Sequence, residues 1–246
     1  MTNDRARKND ECLNPKTAPE GLLIRTSDFF RHSSVLYPML HSELIPAHEP
    51  ASRRLLIMLH GLGDSIAGYR WMPAALNLPW LNYLLVNAPD QYYGGYSWYD
   101  FVGDIRPGVE RSRKLLFEFL EAQCAAGFPA EQIVLGGFSQ GSLMSLEVGL
   151  RCPRLLAGII GISGYVSDPD KLLKELSPVA LKQRVLMTHG ILDPLIPFAV
   201  VREQVNRLKS AGLRIEWHEF AKAHTIAGEP ELEVIRDFIE KCYKAK

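Results

Sequence analysis

The chain has 246 residues, 47% of them hydrophobic and 23% charged, with 28 basic residues balanced by 28 acidic ones. That length suits one sizeable α/β domain with a core covered on both faces, and a formal net charge of +0 gives no general pull toward nucleic acid or an anionic membrane surface. No basic cluster with interleaved aromatics and no apolar run of about 18 residues is present, so neither a nucleic-acid partner nor an integral membrane segment is expected.

Taken in chain order, residues 1–30 are rich in charge and Asn and read as a flexible or loosely docked extension, followed by a single domain over 31–246. Residues 1–20 contain no apolar stretch of the signal-peptide kind. Residues 35–45 supply an early antiparallel strand or hairpin, and residues 55–59 a short buried strand. A helix is expected over 67–76, a strand over 83–87 and a long amphipathic helix over 108–126. Next come a strand over 133–136, a helix from Ser142, and strands over 156–162 and 184–188. The tail reads as a helix over 198–211, a strand over 214–220 and a final helix from Glu229 to about Lys244. Strands that are apolar throughout, alternating with helices, predict a mostly parallel sheet with helices on both faces. No long insertion predicts a large lid. Cys12, Cys124, Cys152 and Cys242 are scattered without paired spacing, which suggests neither zinc nor a disulfide framework; a cytoplasmic protein is expected.

One pattern carries chemistry. Gly137-Phe138-Ser139-Gln140-Gly141 stands between a strand and a helix in which Leu143, Leu146 and Leu150 recur at helical spacing. A Gly-x-Ser-x-Gly in that setting is a nucleophile elbow: a sharp turn that glycine permits, holding the Ser in a strained conformation above the sheet edge. The N-terminus of the following helix favours negative charge there. A serine hydroxyl needs a base, and the base needs a partner that fixes its tautomer.

Asp193 follows the strand over 184–188, and His224 follows the strand over 214–220. Both therefore fall at strand carboxyl ends, in the order Ser, acid, His. Asp193 also reads as a turn residue before Pro194 and His224 as a loop histidine; order and position favour catalysis. Asp168 and Asp170 read as caps of a helix, His218 as a strand residue, and His189 as a residue shaping the Asp193 loop. An oxyanion needs donors, expected from the backbone N–H of Gln140 and from that of Leu62 in the loop His60-Gly61-Leu62-Gly63-Asp64. That loop also reads as a plain glycine turn; it lacks the further glycines of a nucleotide site.

Leu59-His60-Gly61-Leu62-Gly63-Asp64, Ser97-Trp98-Tyr99-Asp100, Gly136 to Gly141, His189-Gly190 through Asp193-Pro194, and Ala223-His224 fall in order. Together they resemble the acyl-protein thioesterase/carboxylesterase (phospholipase/carboxylesterase) family of α/β-hydrolases, over roughly residues 53–243. The resemblance implies an α/β-hydrolase fold, a triad of Ser139, Asp193 and His224, and oxyanion donors at Leu62 and Gln140. It also implies hydrolysis of carboxylic esters or thioesters with no metal and no cofactor. Three features depart from the family pattern: Ser142 stands where a Gly is usual, Gln91 to Tyr96 is an unusual aromatic stretch, and the extension before Arg53 is long. The departures leave the triad in place but do not carry over a lipidated-protein substrate.

The expected substrate is a small-molecule or lipid-like ester or thioester with a short to medium acyl group. Tyr92, Tyr93, Tyr96, Trp98 and Tyr99 would line one wall, with Ile191, Leu192, Leu195 and Ile196 on another; Trp98, Leu192 and Ile196 are the leading substrate-binding candidates. The same aromatics would serve equally well as anchors of a loop. Exposed apolar residues near the pocket would suit acyl binding or a weak homodimer contact equally. A lysophospholipase or small-ester detoxifying esterase on the same triad, and a non-catalytic binding protein on the same fold, are the alternatives.

Overall fold

A computed structural model of the chain describes residues 40–244. The extension expected over residues 1–30 lies outside them, as does the first part of the element expected over 35–45. The described residues belong to one unit, Met39–Lys246. In chain order they form β1 (Ser42–Ile45), β2 (Leu55–Leu59), a 3-10 turn (Ile66–Tyr69), α1 (Met72–Leu76), β3 (Asn82–Val86), β4 (Asp90–Tyr92), β5 (Gly95–Ser97) and α2 (Arg106–Ala125). There follow β6 (Ile133–Phe138), α3 (Gln140–Gly149), β7 (Gly158–Ile162), α4 (Pro169–Lys174), β8 (Arg184–Gly190), α5 (Phe198–Ser210), β9 (Arg214–Phe220) and α6 (Glu229–Lys244).

Seven strands form one sheet in the order β1–β3–β2–β6–β7–β8–β9, parallel except for β1, which runs antiparallel to β3. Side chains on a strand alternate between faces, and β2 uses both. Leu55, Ile57 and Leu59 join the core layer beneath α2, α3, α4 and α5, while Leu56 and Met58 join the layer beneath α1 and α6. This is why the central strands are apolar at every position. On α2 the buried residues Val109, Ser112, Leu116, Phe119 and Leu120 recur at helical spacing and form its inner stripe. Leu232, Ile235, Phe238 and Ile239 do the same for α6.

The helix expected over 67–76 is instead two pieces, the 3-10 turn and α1, separated around Arg70 and Trp71. Pro73, which cannot donate within a helix interior, sits in the first turn of α1. β4 and β5, which the sequence reading did not separate, form a hairpin apart from the main sheet. Tyr93 and Gly94 turn it, both with positive φ, at 42° and 87°, as a two-residue hairpin loop requires.

The sheet order reverses beside β2, with β3 on one side and β6 on the other. Loops diverge above such a reversal and leave a crevice at the strand carboxyl ends. Leu59 is paired with Gly137 there, so the loop after β2 and the turn after β6 emerge side by side.

Candidate active site

Ser139 occupies the turn between β6 and α3, with φ 53° and ψ −114°. A side-chain-bearing residue held at positive φ costs about 1–3 kcal/mol, so the surroundings must impose it. They do so by close approach. A Cβ on Gly137 would lie 2.1 Å from the carbonyl oxygen of Gly141, and one on Gly141 would lie 2.1 Å from that of Leu59. Only glycine allows α3 to start this close to the sheet. Ser139 N–H donates to the Ile162 carbonyl at 2.9 Å, which fastens the turn to the end of β7.

The loops after β8 and β9 bring two further side chains to this turn. His224 Nε2 lies 2.8 Å from Ser139 Oγ, and His224 Nδ1 lies 2.7 Å from Asp193 Oδ2. The other carboxylate oxygen of Asp193 accepts from the N–H groups of Leu195 and Ile196, each at 2.9 Å. Burial alone would push the Asp193 carboxyl up. The Ile196 N–H, the His224 ring and the Leu195 N–H outweigh burial and hold it below the ordinary carboxylate value. An ionised Asp193 makes Nδ1 the protonated nitrogen of a neutral His224, leaving the Nε2 lone pair to accept the Ser139 proton.

His189 is fully buried and stacks with Phe198 and Trp217. Its Nε2–H donates to the Ile196 carbonyl at 3.0 Å, which closes the loop that carries Asp193. Asp168 caps α4 by accepting from Lys171 N–H at 2.9 Å, and Asp170 pairs with Arg207; neither approaches the site residues through these bonds. His218 pairs with Glu216 on β9 at 2.9 Å.

The loop after β2 faces the nucleophile turn: a Cβ on Gly61 would lie 3.4 Å from Ser139 Cβ. Among the described residues, the N–H groups of Leu62 and Gln140 donate to no protein acceptor. Gln140 opens α3, so its N–H is one of the free donors at a helix N-terminus. A hydroxyl, an imidazole aimed at it, a buried carboxylate behind and two free N–H groups nearby are the parts acyl transfer uses.

Of the expected substrate-binding residues, Leu192 is 64% exposed on the Asp193 loop, beside the exposed Ile191 and Leu195. Ile196 is half-buried against the core. Trp98 is fully buried and spends its indole N–H on the His60 carbonyl at 3.0 Å, so it props the loop after β2 from beneath. Tyr99 is buried too, whereas Tyr93 is 95% exposed at the hairpin tip. Sequence reasoning missed the side chain of Gln140, which binds the Ser97–Trp98–Tyr99 segment. It also missed the buried pair between Lys222, on the loop that carries His224, and Glu231. Their partners lie far along the chain or on another element, and residue type alone gave no signal.

A family model described as phospholipase/carboxylesterase matches residues 40–243. Acyl-protein thioesterase 1 of Yarrowia lipolytica is 30% identical over 221 residues, covering 81% of this chain and 96% of that protein. Acyl-protein thioesterase 1 of Schizosaccharomyces pombe is 36% identical over 155 residues, covering 58% of this chain and 69% of that protein. Among solved structures, the esterase PE8 superposes with a TM-score of 0.75 at 30% identity, covering 82% of this chain and 99% of that one.

Proposed function

This chain belongs to the phospholipase/carboxylesterase family of α/β-hydrolases, a serine hydrolase family acting on esters and thioesters, and we propose that Ser139, His224 and Asp193 are its nucleophile, general base and orienting acid. The observation that carries the assignment is the unbroken pair of hydrogen-bond distances, 2.8 Å from Ser139 to His224 and 2.7 Å from His224 to Asp193.

In the first half-reaction Ser139 Oγ attacks the acyl carbon while His224 Nε2 takes its proton. The carbonyl oxygen becomes an oxyanion and accepts from the N–H groups of Leu62 and Gln140. Collapse breaks the bond to the alcohol or thiol, which leaves with the proton held on His224. Water then enters, gives a proton to His224 and attacks the acyl-enzyme; Ser139 regains its proton as the carboxylic acid departs. Each step uses a group the site holds, and no step calls for a cofactor. Protonated His224 has no lone pair to accept the Ser139 proton, so activity is lost once acid protonates the ring.

The substrate class we favour is an ester or thioester with a short to medium apolar acyl group. Support comes from the exposed Ile191, Leu192 and Leu195 on the loop that carries Asp193. No described helix is long and apolar enough to cross a membrane, and a cytoplasmic location remains part of the proposal, supported by the unpaired spacing of the cysteines.

Pre-steady-state hydrolysis of p-nitrophenyl butyrate tests the assignment. A burst of about one p-nitrophenol per active site, followed by slower turnover, is the mark of a serine acyl-enzyme. Both phases should vanish in Ser139→Ala. Turnover that survives the substitution overturns the assignment.

A further inference from the structure

We propose that the side chain of Gln140 is a positioning group for the second oxyanion donor, the N–H of Leu62, so that one residue organises both halves of the oxyanion site. The proposal rests on the reading of Ser139 as nucleophile given above.

A residue that follows the nucleophile has to supply only its backbone N–H, and any side chain would do for that. Gln140 supplies more. Its side chain is buried, with 4% of the residue exposed, and its carboxamide is paired at both the oxygen and the nitrogen. Oε1 accepts from Trp98 N–H at 3.0 Å and from Ser97 Oγ at 3.3 Å, and Nε2 donates to the Tyr99 carbonyl at 3.0 Å. A buried amide held at both its oxygen and its nitrogen is rigid, because loosening it leaves desolvated polar atoms unpaired. Ser112 Oγ, from α2, donates to the Trp98 carbonyl and holds the same segment from the other side. Residues 97–99 are thereby locked to the first turn of α3.

The lock is passed on by Trp98. Its fully buried indole N–H donates to the His60 carbonyl at 3.0 Å, with the two rings 5.7 Å apart. The His60 ring accepts at Nε2 from Ala88 N–H at 3.0 Å and donates from Nδ1 to the Gly61 carbonyl at 2.6 Å. Burial pushes this imidazole down from its ordinary value, against the pull of the Gly61 carbonyl, so it stays in the neutral tautomer these two bonds require. The Gly61 carbonyl and the Leu62 N–H belong to one planar trans peptide and point in opposite directions. Fixing the carbonyl therefore fixes the direction of the N–H. A continuous path runs from the Gln140 carboxamide through Trp98 and His60 to the donor at Leu62.

The test compares Gln140→Leu, which removes all the carboxamide bonds, with Trp98→Phe, which removes the indole N–H, and with the double variant. Gln140→Met runs in parallel, so that a packing defect peculiar to Leu is recognised. Each is assayed with p-nitrophenyl butyrate and with an alkylboronic acid, which turns tetrahedral and anionic on a reactive serine.

The expected result is a fall in kcat of about 10-fold or more in each single variant, with KM within about twofold of wild type. Boronate affinity should fall by the same factor as kcat/KM. The double variant should be no slower than the slower single one, because both act on one path. A kcat within about twofold of wild type, with only a lowered denaturation midpoint, would reduce Gln140 to a structural clamp and overturn the proposal. Multiplicative losses in the double variant would do the same. Failure of the nucleophile reading would appear separately, as turnover persisting in Ser139→Ala.

Discussion

Lys222 Nζ lies 2.6 and 2.8 Å from the two carboxylate oxygens of Glu231, in an ion pair that is almost wholly buried. Glu231 also accepts from Ala227 N–H at 2.6 Å. The pair ties the loop that carries His224 to the first turn of α6. Burial pushes the Lys222 amine down from its ordinary value, while Glu231 acts against that shift. Removing one partner strands a charge in the interior, so Glu231→Gln is expected to lose about 3–5 kcal/mol of stability. Replacing both, as Lys222→Met with Glu231→Gln, removes the stranded charge while keeping an acceptor for Ala227 N–H, and should recover most of it. Urea denaturation of the two variants checks both expectations.

Asp193→Asn keeps an acceptor for Leu195 and Ile196 but turns an N–H toward His224 Nδ1. His224 must then place its proton on Nε2, where it can no longer accept from Ser139. We expect kcat to fall roughly 10³- to 10⁴-fold with a small change in KM, the loss typical of a wrong tautomer. Steady-state kinetics on a short-chain ester measures it.

The same carboxylate links folding to pH. Its folded value lies below the ordinary one, because the hydrogen bonds from Ile196, His224 and Leu195 outweigh burial. In the window between those two values the unfolded chain binds more protons than the folded one. The stabilisation is therefore complete above the ordinary carboxylate range and is lost as pH falls through the folded value. Urea midpoints taken from pH 7 down to pH 3 should fall less steeply in Asp193→Asn than in wild type; equal slopes would contradict this.

Ser142 Oγ is buried without a hydrogen-bond partner among the described residues. A Cβ on Gly164 would lie 2.1 Å from it, so the site is tight as well as unsatisfied. Ser142→Ala removes the orphaned hydroxyl and should stabilise the protein by about 1 kcal/mol while keeping wild-type kcat. Thermal denaturation and an ester assay on the same samples read out both.

Strands were legible where an apolar run or flanking turn residues marked them. Leu55–Leu59 and Arg214–Phe220 were legible at both ends, the first because every position is apolar, the second because Gly212 and the Lys222 loop bracket it. The site candidates were legible because strand ends are punctuated by Gly, Asp-Pro and Ala-His, which locate loops at one edge of the sheet. The β4–β5 hairpin was hidden by strands of three residues and by Tyr93-Gly94, which lacks the Asn or Asp that usually marks such a turn. Trp98 reads as a pocket wall from its type, and only its burial under His60 assigns it to the loop's support. The Gln140 side chain was illegible for another reason: its partners lie 41 to 43 residues away, and nothing local marks an amide that satisfies a distant backbone.

The most direct measurement is intact-mass analysis after a fluorophosphonate, with peptide mapping of the adduct. One adduct per chain is expected, on Ser139, with none in Ser139→Ala and much slower labelling in His224→Ala. An adduct on another residue, or labelling at the wild-type rate without His224, would contradict the assignment.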